Sequence, residues 1–148
     1  MKKLIAPIAL AVALALTSCG GGNTPAATNA SKAAEEAPKA PDLTGGWKQS
    51  NANSDKSYQQ ATITADKVTV EWVTDGGNST SVYWIGTFVA PGDASEPYTW
   101  TSQRDVEATS SALLASTDDT KEFTYKDGGI SYKVSALGTT TTVNLKKN

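Results

Sequence analysis

The fold is decided by a stretch in which apolar and polar side chains alternate, Lys67-Val68-Thr69-Val70-Glu71-Trp72-Val73-Thr74. Successive side chains of an extended segment point to opposite sides, so Val68, Val70 and Trp72 share one face. This period of two predicts a half-buried β-strand. Residues 130–135 repeat the alternation and predict a second strand of the same kind.

Short strands separated by turns account for the chain from residue 42 onward. All eleven aromatic residues of the chain lie there with most of its threonines, and both residue types favour strands. Gly, Pro, Asp and Asn clusters mark the turns between them. We predict strands near residues 45–50, 57–64, 67–74, 80–89, 97–103, 112–116, 121–127, 130–135 and 139–146.

Most of these strands are joined by two to five residues, which predicts an antiparallel meander. The fold class is therefore all-β, with eight or nine strands that form a small up-and-down barrel or a sandwich. We favour the barrel because closure removes exposed sheet edges, and Gly86 inside the long fourth strand suits a bend at a barrel corner.

Residues 106–115 are open to two interpretations. Ala112-Leu113-Leu114-Ala115 are good helix formers, which favours a short helix. The alternative is a short strand at 112–116, paired with residues 121–125 across a polar turn. We favour the strand.

The start of the first predicted strand reads Leu43-Thr44-Gly45-Gly46-Trp47. This resembles the Gly-x-Trp opening of the calycins, the lipocalin and streptavidin-like barrels. The resemblance implies that Trp47 plugs one barrel end. In lipocalins an arginine of the last strand lies over that tryptophan, whereas this chain offers Lys146 and Lys147 there.

The N-terminus has the pattern of a secretory signal. Lys2 and Lys3 precede an apolar run at residues 4–16, which is shorter than the roughly 20 residues of a membrane span. The run ends in Leu16-Thr17-Ser18-Cys19, which resembles the lipobox of bacterial lipoproteins. The predicted organisation is a signal peptide at 1–18, an acylated Cys19 with a flexible linker at 19–41, and a β-barrel domain at 42–148.

The lipobox resemblance implies a location as well as a modification. In that family the cysteine thiol, here Cys19, carries a diacylglycerol, and the peptide bond before it is cleaved. Two acyl chains hold a protein stably on a bilayer. We therefore expect the membrane to be a partner through this lipid, at a bacterial cell envelope, with the domain facing away from the cytoplasm. The type of envelope, with one membrane or two, stays open.

Composition excludes several classes of function. The chain has no histidine, the commonest acid/base and metal-ligating side chain, and its acidic pairs lie in polar loops. Without Lys2 and Lys3, eleven basic residues face fifteen acidic ones, which argues against nucleic acid as a partner. We expect a non-enzymatic monomer without metal or cofactor.

The candidate ligand or partner surface is a set of aromatic residues on consecutive strands, namely Trp72, Tyr83, Trp84, Tyr98 and Trp100. Tyr83 and Trp84 are adjacent, so a regular strand would point them to opposite faces. An outward aromatic row can stack a sugar or bind a protein. The alternative is that these rings only fill the barrel interior.

Two functions are open at this stage. The first is a lipid-anchored binding module for a small apolar ligand, an envelope glycan or a protein of the envelope or of a phage. The second is superinfection exclusion, because the runs at residues 83–88 and 113–128 look like those of small lipoproteins of high-GC Gram-positive bacteria and their phages. Neither run assigns a site residue.

Overall fold

The computed structural model describes residues 39–148 apart from 94 and 137, and these residues form an all-β fold. Its eight strands are β1 (Gly45–Gln49), β2 (Tyr58–Ile63), β3 (Lys67–Thr74), β4 (Ser79–Thr87), β5 (Tyr98–Arg104), β6 (Thr120–Lys126), β7 (Gly129–Ala136) and β8 (Thr139–Lys147). Eight of the nine predicted strands are confirmed to within two residues at each end.

The strands close into a barrel in chain order, and each neighbouring pair is antiparallel. The last strand closes the barrel by pairing with the first, with Trp47 opposite Lys147 and Gln49 opposite Leu145. The up-and-down barrel is thus confirmed over the sandwich, and its architecture is consistent with the calycin resemblance.

The direction of the strands gives the barrel two distinct ends. At one end β1 begins and β8 ends, and this end also carries the connections at 64–66, 88–97 and 127–128; we call it the closed end. The opposite end carries the connections at 50–57, 75–78, 105–119 and 137–138; we call it the open end. The polypeptide that precedes β1 therefore enters at the closed end.

Trp47 lies buried at the closed end, as the calycin resemblance implies. Its indole Nε1 donates a hydrogen bond to the Leu43 carbonyl oxygen at 2.9 Å, and Tyr125 meets its ring edge-on. The Lys147 ammonium lies 5.8 Å from the indole centroid, within cation–π range. A lysine thus lies at the tryptophan where lipocalins use an arginine.

The sheet between β3 and β4 departs from the predicted alternation at one residue. Val70 pairs with Trp84 but Glu71 pairs with Val82, so Tyr83 is an extra residue, a β-bulge. The bulge turns the Tyr83 ring inward beside Trp84, and both rings belong to the buried core. The expectation that these two residues point to opposite faces is therefore wrong.

The connection from β5 to β6 also differs from the prediction. It contains a single helical turn, α1 (Val106–Thr109), whose first turn is capped by the Asp105 side chain at the Ala108 amide. Residues 112–116 form turns, so the strand that we favoured there is wrong. The physical reason is that β6 already pairs with β5 on one side and β7 on the other.

Gly86 lies where β4 pairs with β5, and there is no room for a side chain on it. It pairs with Arg104, and a Cβ atom added to it would lie 2.5 Å from the Gln103 carbonyl oxygen and 2.7 Å from the Trp84 indole nitrogen. Real contacts of a Cβ atom are longer than this, so only glycine fits here without moving the backbone.

Gly86→Ala is therefore expected to lower the free energy of unfolding by about 1 to 3 kcal/mol, the usual cost of overpacking a closed core. Urea denaturation followed by tryptophan fluorescence measures it. The matched control is Gly92→Ala, because a Cβ atom at Gly92 meets nothing within 4 Å. Equal midpoints for the two variants would contradict the role given to Gly86.

The signal peptide, Cys19 and the linker as far as residue 38 lie outside the described residues. Residues 39–41 are the described part of the predicted linker. Within the described part of the chain, no helix is long and apolar enough to span a membrane.

Candidate functional site

The candidate site is a pair of cavities at the open end that share the indole of Trp72. The larger has a volume of about 560 Å³ and lies between Trp72, Tyr83, Val134 and residues 113–118. A smaller one of about 230 Å³ lies toward β8 and contacts the same Trp72 and Val134. Cavities of about 300 to 1,000 Å³ accommodate small ligands, so the larger is of suitable size.

The loop that forms the rim of the larger cavity carries exposed apolar side chains. Leu113 is 99% exposed and Leu114 57% exposed, and both residues line the cavity together with Ala115. On the outer side of the same loop they border Val82 in a further shallow cavity. These exposed leucines extend the apolar wall formed by Trp72 beyond the barrel mouth.

The β-bulge and the loop above it build this site together. The bulge brings Tyr83 to Trp72, and the two rings meet edge-on with centroids 5.6 Å apart. The carbonyl oxygen of Tyr83 accepts a hydrogen bond of 2.8 Å from the Ser116 amide. This bond fixes the leucine-bearing loop beside the cavity.

A buried cation lies next to the apolar cavity. The Lys121 side chain is 5% exposed, and its ammonium donates a hydrogen bond of 3.0 Å to Asp118 Oδ2. Hydrogen bonds from Lys121 and Ser116 lower the pKa of the Asp118 carboxyl below its ordinary value. Asp118 is therefore charged at neutral pH, and it contacts the large cavity through a side chain that is 59% exposed.

Beyond Asp118 the wall between β6 and β7 opens into a polar concavity of about 280 Å³. The two strands pair only from Phe123 opposite Tyr132 to Lys126 opposite Gly129, so they diverge toward the open end. Lys121 and Tyr132 line this concavity from inside the barrel. Asp118 and Ser135 line both it and the larger apolar cavity, so the two are adjacent.

A second buried polar pair lies beside Trp72. Gln59 is directly opposite Trp72 on β2 and fully buried, and its Oε1 accepts a hydrogen bond from the Tyr132 hydroxyl. Burial raises the pKa of Tyr132 well above its ordinary value, so its hydroxyl stays a neutral donor. Gln59 Nε2 has no hydrogen-bond partner among the described residues.

The structure brings together only two of the five predicted site residues, Trp72 and Tyr83. Trp84 is fully buried, and its indole Nε1 donates a hydrogen bond to Ser102 Oγ at 3.0 Å. Tyr98 and Trp100 stack with centroids 5.7 Å apart, and the Tyr98 hydroxyl donates a hydrogen bond to the Val89 carbonyl oxygen. These three rings form no part of the open-end cavities.

Sequence reasoning missed the leucines, Val134 and Lys121. One signal was available for Lys121, because it alternates with Phe123 and Tyr125 and therefore belongs to the inward face of its strand. Leu113 and Leu114 are two consecutive large apolar residues in a connection rich in Ser, Thr and Asp, which also indicates a special role.

The arrangement offers two aromatic rings, aliphatic walls, one buried ammonium and several hydroxyls. Among the described residues no group of three or more His, Cys, Asp or Glu could hold a metal ion. The chain matches no protein-family model, no curated protein and no solved structure.

Proposed function

We propose that this protein is a lipid-anchored, non-enzymatic binding module of the bacterial cell envelope that takes a small ligand with an apolar body into the open end of its barrel. The observation that carries the proposal is the cavity of about 560 Å³ between Trp72, Tyr83 and the exposed leucines 113 and 114. Concave, mostly apolar sites with a few polar groups are typical ligand sites.

The placement of the cavity supports its use by an anchored protein. Residues 39–44 enter at the closed end, and Leu43 is buried there. The cavity opens at the other end of the barrel. The chain therefore enters the barrel at the end opposite the cavity. Leu16-Thr17-Ser18-Cys19 and the apolar run before it support the anchor.

The residues of the site also favour binding over catalysis. The chain has no histidine, and the cavity wall consists mainly of aromatic and aliphatic side chains. Catalysis by acid and base requires two groups placed against a substrate bond. Asp118 instead pairs with Lys121, and its lowered pKa makes it a poor proton donor or acceptor at neutral pH.

The test is binding of a neutral apolar fluorophore, N-phenyl-1-naphthylamine, to the full-length chain carrying Cys19→Ser, which removes the thiol to be acylated. We expect probe emission to rise on binding and tryptophan emission to fall. Trp72→Ala should raise the dissociation constant of the probe by at least about tenfold, since it removes the shared wall of both cavities.

The matched control is Tyr58→Ala. Tyr58 lies half-buried on the neighbouring strand opposite Val73, with the Lys48 ammonium 4.2 Å from its ring, and it lines neither cavity. This variant should bind the probe like the parent. Absence of probe binding, or equal affinity of Trp72→Ala and Tyr58→Ala, would overturn the proposed site.

A further inference from the structure

The buried ammonium of Lys121 is the feature of the site that apolar binding does not explain. It lies 5.2 Å from the Tyr83 ring centroid and 5.3 Å from that of Trp84. Both are cation–π distances, and both rings belong to the core. An ammonium has three donors, and among the described residues it has one hydrogen-bond acceptor, Asp118. Asp118 is thus its one anionic partner among the described residues.

Its one partner is placed so that it can be exchanged. Asp118 is on the connection between β5 and β6, its side chain is 59% exposed, and it lines both the apolar cavity and the polar concavity. Returning an exposed carboxylate to water costs little free energy, whereas leaving a buried ammonium without an anion costs much. Another anion that entered through the cavity could therefore replace Asp118 at low cost.

A second observation concerns buried polar atoms that have no partner. Three buried side-chain atoms of the described residues have no hydrogen-bond partner, and all are N–H donors, namely Gln59 Nε2, Trp100 Nε1 and Arg104 Nε. Gln59 is the cross-strand neighbour of Trp72 and bonds to Tyr132, which lines the polar concavity. Of these three donors only Gln59 Nε2 lies close to the site, and no buried side-chain oxygen of the described residues is left without a partner.

We infer that the ligand of this site is an anionic amphiphile, an apolar chain or ring system ending in a carboxylate, whose carboxylate binds the Lys121 ammonium in place of Asp118. Its apolar body lies against Trp72 and the leucines, and its head reaches past Asp118 and Ser135 to the lysine. This inference rests on the proposed function and adds the chemical class of the ligand.

The experiment compares three ligands with twelve-carbon chains, below their micelle concentrations, as competitors of N-phenyl-1-naphthylamine on the full-length Cys19→Ser chain. The ligands are dodecanoate, dodecanol and dodecyltrimethylammonium, which differ in the charge of the head group. A hydrogen bond to a charged partner predicts that dodecanoate binds about ten- to a hundredfold more tightly than dodecanol. Dodecyltrimethylammonium should bind most weakly.

Two variants locate the charge preference. Lys121→Met keeps the length of the side chain and should reduce the affinity for dodecanoate to that for dodecanol. Asp118→Asn removes the competing carboxylate and should tighten dodecanoate binding. The matched control is Lys126→Met, on the same strand but exposed and at the closed end, which should behave like the parent.

Equal affinities of the parent for dodecanoate and dodecanol would overturn the inference, and so would a dodecanoate preference that survives Lys121→Met. This ligand comparison on the parent needs no variant, so it decides the question even if Lys121→Met does not fold. In both cases binding of the neutral probe still measures the proposed function, so failure of the one is distinguishable from failure of the other.

Discussion

Trp84→Ala is expected to lower the free energy of unfolding by about 3 to 5 kcal/mol, the usual cost of removing a large aromatic side chain from a closed core. Trp84 is 0% exposed, and its indole Nε1 donates its hydrogen bond to the buried Ser102. The cavity left behind cannot collapse easily, because Gly86 already holds β4 against β5. The substitution would also leave the Ser102 hydroxyl without its donor.

The measurement is a urea titration monitored by circular dichroism, with the slope compared between variants to confirm that the same transition is followed. Trp72→Ala is the matched control, because it removes the same side chain from the adjacent strand at a half-buried position. We expect Trp72→Ala to lose less stability and more probe affinity. Equal stability losses for the two variants would contradict the division between core and site.

Tyr83 belongs both to the buried core and to the wall of the open-end cavity. The sequence instead predicted one role for Tyr83 and the other for Trp84. Regular alternation predicts that one of Tyr83 and Trp84 lies outside, and this fails because the bulge inserts one residue opposite Val70 and Glu71. No local pattern specifies the bulge. It is stabilised by groups distant in sequence, the Ser116 amide on the Tyr83 carbonyl oxygen and the Lys121 ammonium over the Tyr83 ring.

The barrel itself could be predicted because its strands carry their own signals. Alternation at residues 67–74 and 130–135 and glycine-rich turns fix strand positions locally, and short connections fix antiparallel pairing. At the turn between β6 and β7, Asp127 and Gly128 both have positive φ, 50° and 71°, which suits a two-residue hairpin. These features depend on near neighbours in the chain.

The open-end site depends on distant neighbours, and for that reason the sequence did not reveal it. Residues 113–118 reach the barrel mouth only because β4 pairs with β5 through Gly86 and Thr87 alone, which leaves the loop to cover the rest of β4. The divergence of β6 from β7 opens the polar side of the site. Both features arise from strand stagger, which alternation does not encode.

Cys19→Ala should abolish membrane anchoring. We expect no other single substitution in this chain to change the location of the protein as much. The expectation rests on Leu16-Thr17-Ser18-Cys19, with the only cysteine of the chain at the position that the lipobox requires. Each buried methylene contributes about 0.8 kcal/mol to membrane binding. Loss of two acyl chains therefore removes far more binding free energy than any protein contact with the membrane could replace.

In a bacterial host, the parent chain is expected to partition into the detergent phase of Triton X-114 and to begin at an acylated Cys19. The Cys19→Ala variant should instead accumulate as an uncleaved precursor or as a soluble product, because no other thiol is present to accept the lipid. Ser18→Ala is the matched control, since it keeps a small residue before the cysteine, and it should be processed and anchored like the parent. If Cys19→Ala is still cleaved before residue 19 and still enters the detergent phase, the lipobox interpretation is wrong, and another segment must hold the protein at the membrane.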